Sequence, residues 1–229
     1  MSLSIIRIHN ELLGTYGDRG NSHILAYRAK LGGIESEIVD VSYRDAMPKS
    51  GDIYLLGGAE DAAQVLSCEA LRGFDFSSKV VLAVCAGFQI LGNSYYAHGK
   101  KQSGLGVIDM ETVPGTMRFV GDIKIDSDVV GVELTGFENH GGATILGKSF
   151  NNTSGITPLG RVITGHGNGT SGVDGAVVGN VFGTYLHGPV LARNPEFADL
   201  LLERAMGHVL PRVEDRLADE FAQWRRSAI

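Results

Sequence analysis

The sequence predicts an α/β fold, a mostly parallel sheet flanked by helices with extra antiparallel strands in its second half. Three observations point there. Short apolar runs rich in β-branched residues, such as Val80-Val-Leu-Ala-Val84, alternate with segments of helical period. Several of these runs end at a glycine or small-residue corner, as in Leu55-Leu-Gly-Gly58. Repetition of strand and helix requires right-handed crossovers between parallel neighbours. The 229 residues suit one such domain, expected over 1–208, with a C-terminal amphipathic helix over 209–229.

In chain order, Ser4 to His9 reads as a strand, followed by the loop Leu12–Asn21 and a helix through Ile24, Leu25, Tyr27 and Leu31, capped by Asp18 or Asn21. Gly32-Gly33 ends it. Ile34–Val41 and Asp52–Leu56 are the next strands, then a helix from Asp61 to about Arg72. Val80–Val84 enters a tight turn at Cys85, and Phe88 to Leu91 opens the next helix. Gly104–Val113, Gly121–Ile125, Val129–His140 and Arg161–Thr164 read as short strands that lengthen the sheet. Gly165–Gly172 lacks a P-loop lysine and dinucleotide spacing, so it reads as a flexible hairpin. Ala176–His187 is a further strand. Asn194-Pro195 caps another helix, and Val213–Ala228 is a charged helix with Trp224 on its apolar side.

Composition narrows the function. Hydrophobic residues make up 43% and charged residues 20%, as in a globular protein, and a net charge of -6 without a long basic cluster argues against nucleic acid or an anionic membrane as partner. No apolar run is long enough to span a bilayer, and the start Met1-Ser-Leu-Ser-Ile-Ile-Arg has no signal-peptide pattern, so a cytoplasmic protein without membrane insertion is expected. Two cysteines, without a CxxC pair, offer neither a disulfide framework nor a zinc site. Cys68, within a helix, is expected to be structural.

Cys85 carries the chemistry. A residue at a strand-to-helix corner stands above the sheet edge, with helix N–H groups facing whatever binds beside it. The positive end of the helix also favours thiolate. The alternative is a small buried core cysteine. His187, which ends a later strand, is the best base available, since a parallel sheet can set two distant strand ends side by side. The backbone amides of Ala86 and Gly58 are natural donors to an oxyanion. His140 is either a pocket residue or a turn scaffold. His9, His23, His98, His166 and His208 are assigned solvated or capping roles.

Val84-Cys-Ala-Gly-Phe-Gln-Ile-Leu-Gly92 and Gly183-Thr-Tyr-Leu-His-Gly-Pro189 resemble class I glutamine amidotransferases of the cobyric-acid-synthase-like branch. Tyr16–Asn21, Leu55–Asp61, Gly136–Gly142 and Leu191–Phe197 extend the likeness over nearly the whole chain. The resemblance implies a flavodoxin-like glutaminase domain with Cys85 as nucleophile and His187 as base. Gln89, one turn on, would contact the substrate amide or pack its helix. Arg118 fits the arginine that binds the glutamine α-carboxylate, because a planar guanidinium makes two parallel bonds to it; the other reading is a surface arginine.

Within the branch, the similarity is to the free-standing glutaminase subunit of lipid II isoglutaminyl synthase. That implies a heterodimer with a Mur-ligase-like (MurT-like) synthetase, which carries ATP and magnesium and amidates D-glutamate of lipid II to D-isoglutamine in cell-wall synthesis; this chain holds no cofactor. A stand-alone cysteine hydrolase, a silent binding module and a subunit serving a cobalamin-type synthetase are the alternatives. Two departures stand out. Ala83 replaces the elbow's usual first glycine, and Pro189 stands where many members have a glutamate two residues after the histidine. A dyad is left, and the partner is expected to supply the missing carboxylate or reshape the site.

Overall fold

A computed structural model describes residues 2–147 and 155–229. The first half alternates as expected: β1 (Leu3–Ile8), α1 (Arg19–Leu31), β2 (Ser36–Val41), β3 (Ile53–Leu56), α2 (Asp61–Ala70), β4 (Val80–Val84) and the short α3 (Ala86–Ile90). Every residue of β3 and β4 is buried, as continuous apolar runs require when a sheet is covered on both faces. The second half holds β5 (Ser94–Ala97), β6 (Lys100–Ser103), β7 (Met110–Ser127), β8 (Val132–Leu146), β9 (Ile156–Thr157), β10 (Gly160–Thr164), β11 (Val173–Asp174), β12 (Ala176–Val178), β13 (Val181–Thr184), α4 (Val190–Arg193), α5 (Pro195–Met206) and α6 (Arg216–Ala228).

The strands form two sheets. The larger runs β2-β1-β3-β4-β13-β12-β9. It is parallel from β2 to β13 and antiparallel at β12 and β9. β13 therefore crosses half the chain to lie beside β4, with Thr184 in register with Val84. Gly183 permits the close packing of α3 behind it, because a Cβ there would lie 2.0 Å from the Phe88 ring.

The second sheet corrects the expectation of short strands that merely lengthen the first. Its order is β11-β10-β7-β5-β6, with β8 paired to β7. β7 and β8 form a hairpin of 18- and 15-residue strands, and a register shift between Pro114 and Phe119 accommodates the Pro-Gly pair within β7.

Side chains at the helix starts differ from expectation. Asp18 and Asn194 occupy N-cap positions, yet neither side chain makes a capping bond. Asn21 Oδ1 instead accepts from the Leu191 amide, and Asn194 bridges Thr135 and Val190. The Gly165–Gly172 segment is pinned rather than loose: buried Glu138 accepts the amides of His166 and Gly167, and Asn168 is tied to Gly175. His9 departs from its solvated or capping assignment, being buried against Ser67, whereas His166 keeps an exposed ring while it bonds Glu138 and stacks on Phe119.

α6 packs by its charged face. Arg226 forks onto both oxygens of Glu196 and donates Nε to the Glu133 carbonyl, while Arg225 pairs with Asp122. Leu217, Phe221 and Trp224 face outward, so the apolar stripe is the exposed side.

Candidate active site

Cys85 stands between the last residue of β4 and the first of α3, with φ at +53°. That left-handed backbone is costly for a non-glycine residue and is typical of a nucleophile elbow. The corner is held because the Cys85 amide donates to the Thr184 carbonyl at 2.9 Å. Three residues beyond Thr184 comes His187. An isolated bridge fixes its backbone: the His187 amide donates to the Phe137 carbonyl at 2.8 Å, and its own carbonyl accepts from the Phe137 amide.

Asp174, which sequence reasoning passed over, shapes the intervening turn. Its buried carboxylate accepts from the Thr184 hydroxyl and the Tyr185 amide, and Thr184 Oγ1 accepts from the Leu186 amide. Burial pushes its carboxyl up to about 7, with the hydrogen bonds pulling the other way.

A cavity of about 310 Å³ opens above the elbow. Cys85, Ala86, Gln89, Arg118 and His140 are among its walls, and Tyr16 and Glu60 stand at one side, joined by a hydrogen bond of 3.2 Å. Its size suits a small polar molecule. Arg118 is exposed on β7 and lines the cavity with Asn139, to whose Oδ1 its Nε donates at 2.8 Å. Gln89 is held at both ends of its amide: Oε1 accepts from Gln64, and Nε2 donates to the Tyr185 hydroxyl at 3.1 Å. It thus packs its helix and also lines the cavity. His140 likewise combines its two readings, lining the cavity while it stacks on Tyr185 and bonds Gly142.

Electrostatics reverse one expectation. The Cys85 thiol is pushed up to about 12, first by burial and next by the Asp18 carboxylate, while the Ala86 amide and Arg118 pull weakly the other way. Burial of the sulfur therefore outweighs the N–H groups at the start of α3. His187 is pulled down to about 4 by burial, with His140 adding to the effect. The two groups rest as neutral thiol and neutral imidazole. No hydrogen bond joins them, and both ring nitrogens of His187 are buried without a partner.

Asp18 was legible in the sequence only as a helix cap, within Tyr16-Gly-Asp-Arg-Gly-Asn21. Its carboxylate is buried, with Oδ2 2.7 Å from the Gly58 amide and 3.9 Å from His187 Nδ1. Two expectations change. The Gly58 amide, assigned to an oxyanion, is engaged by Asp18 here, while the Ala86 amide faces the sulfur. A carboxylate also stands beside His187 within the chain itself, so one need not come from a partner. Tyr16 closes the group, its ring 4.8 Å from that of His187.

Comparison with known proteins bears on this arrangement. Residues 4–195 match the model of the CobB/CobQ-like glutamine amidotransferase domain. The chain is 37% identical to the lipid II isoglutaminyl synthase (glutamine-hydrolyzing) subunit GatD of Streptococcus pneumoniae, over 96% of this chain and 89% of that protein. It is 35% identical to the GatD subunit of Staphylococcus aureus, over 89% and 84%. A probable cobyric acid synthase of Methanothermobacter thermautotrophicus is 35% identical over 68% of this chain but only 32% of its own length. Among solved structures, PurLQS from Thermotoga maritima superposes with a TM-score of 0.55 at 12% identity, covering 90% of this chain and 99% of that one, which speaks to the fold alone.

Proposed function

The chain belongs to the CobB/CobQ-like glutamine amidotransferase family, and on that premise we propose that it is the glutaminase subunit of a lipid II isoglutaminyl synthase. The observation that carries the chemistry is the strained cysteine elbow opening into a small cavity with an arginine across it. Arg118 takes the α-carboxylate of L-glutamine and sets the side-chain amide over Cys85. The thiol proton passes to His187 as Sγ bonds to the amide carbon, and the Ala86 amide receives the oxyanion. His187 then returns the proton to nitrogen, the C–N bond breaks and ammonia leaves. Water, deprotonated by His187, attacks the thioester; glutamate departs and the thiol is restored.

The acceptor is argued from the relatives. Similarity to two GatD subunits runs along nearly the whole chain, whereas the cobyric acid synthase matches over a third of a longer protein. By this reading the partner is a Mur-ligase-like synthetase in a cytoplasmic heterodimer, and ATP and magnesium bind there. A stand-alone hydrolase is disfavoured by the same relatives, which are named as subunits.

The test is transfer of label. The chain is purified with its natural partner and supplied with glutamine carrying ¹⁵N in the side-chain amide, ATP and lipid II. Recovery of ¹⁵N in the stem peptide is expected. Glutamine hydrolysis without labelled lipid II, or co-purification with a different class of synthetase, would remove the acceptor assignment.

A further inference from the structure

Asp18 combines features that a structural carboxylate does not need. It is 4% exposed, yet only one of its oxygens is satisfied: Oδ2 accepts from the Gly58 amide and Oδ1 is buried without a partner. Both nitrogens of the neighbouring His187 ring are also buried and unpartnered, with Nδ1 3.9 Å from Oδ2. Three orphaned polar atoms in one buried cluster are costly unless another state of the site satisfies them. The surrounding loops are shaped around this carboxylate: a Cβ on Gly57 would lie 2.9 Å from Asp18 Cβ, and one on Gly58 would lie 3.1 Å from His187 Cε1.

We propose that Asp18 is the positioning residue for His187, and that it takes up that role by leaving the Gly58 amide, so that one carboxylate movement orients the base and frees the second oxyanion donor together. In the resting arrangement the oxygen nearest Nδ1 is the one that holds the Gly58 N–H, so both contacts draw on the same atom. A shift of about 1 Å brings a 3.9 Å separation into hydrogen-bond range. When His187 takes the Cys85 proton, the resulting imidazolium attracts Asp18, and the Gly58 amide is released at the step in which the oxyanion forms. The proton moves from sulfur to the ring and back; Asp18 itself exchanges none. The proposal rests on the glutaminase reading for its timing, but the carboxylate–imidazole pairing is a property of the chain alone.

The charged and titratable groups facing this cluster are limited. His187 is influenced by His140. Cys85 is influenced by Asp18, Arg118 and Glu60, and Tyr16 by Glu60, Cys85 and Arg118. Asp18 is raised to about 6 by burial, with only the Gly58 amide acting against it and no cation compensating its charge. An imidazolium is the one cation the reaction creates beside it.

Two measurements decide the matter. Glutamine hydrolysis by the full chain assembled with its natural partner is followed against pH for the wild type and Asp18→Asn, and the His187 ring is titrated by NMR in both. Expected for Asp18→Asn are a kcat lower by about 10²- to 10⁴-fold with KM little changed, and a His187 ring that protonates at lower pH. An unchanged kcat, or a lower kcat with an unmoved His187 titration, overturns the proposal. If Asp18→Asn does not fold, the wild type still answers: inflections shared by the Asp18 carboxyl and His187 ring curves support pairing, and independent curves exclude it. Absence of any glutamine turnover in the wild type would count against the glutaminase reading, while the titrations would still decide this one.

Discussion

The Cys85 amide donates to the Thr184 carbonyl at 2.9 Å, which joins the elbow directly to the strand that leads into His187. Cys85 and His187, from opposite halves of the chain, are thereby held beyond the carboxyl ends of two paired parallel strands, where ligands bind in such sheets.

Cys85→Ser and His187→Ala should each reduce ammonia release by on the order of 10⁴-fold or more, since residues acting as one unit fail together. Thermal unfolding should change little in Cys85→Ser. A glutamine-derived affinity label should attach at Cys85 in the wild type and in neither variant at a comparable rate. Mass spectrometry of the labelled peptide checks the assignment, and turnover retained by either variant contradicts it.

Arg118 lies exposed at the cavity wall, so its replacement costs no core packing. Arg118→Ala should raise KM for glutamine by about 10- to 100-fold, the equivalent of losing a charge-assisted bond of about 1.5–3 kcal/mol, with a much smaller effect on kcat. Arg118→Lys should recover only part of the loss, because an ammonium cannot reproduce the two parallel bonds. A change confined to kcat would argue against carboxylate binding.

Stability against pH should show opposing contributions. His187 and His140 are both depressed to about 4 from 6.5. The unfolded chain therefore binds more protons than the native one between those values, and their contribution is lost as pH falls from 6.5 towards 4. Asp18 and Asp174 are raised to about 6 and about 7 from 3.8, so the native state binds the extra protons and their contribution is lost as pH rises through that window. Thermal midpoints should vary little across the window in the wild type. Asp174→Asn removes one opposing carboxylate, so its midpoint should drop more steeply on acidification; parallel wild-type and variant curves would contradict the sign worked out here.

Arg226 fastens α6 through Glu196 and the Glu133 carbonyl. Arg226→Ala should speed amide hydrogen exchange across Arg216–Ala228 while the β3 and β4 amides keep their protection, because few apolar contacts hold this helix in its place. Uniform acceleration throughout the chain would show instead that α6 unfolds only with the domain.

The order of strands and helices in the first half, the tight corner at Cys85, the placement of His187 after a later strand and the family resemblance were all legible from contiguous residues, because periodicity and turn chemistry are local properties. The single long β7 was not legible, its residues reading as separate short strands, since whether a segment such as Pro114–Phe119 ends a strand or sits in a bulge depends on the partner strand. The tertiary structure alone decided what Asp18 touches, which hydrogen bond occupies the Gly58 amide, and that burial keeps Cys85 as a thiol. Those outcomes depend on how loops far apart in sequence exclude water from one another, and desolvation is a property of the packed neighbourhood that no single segment carries.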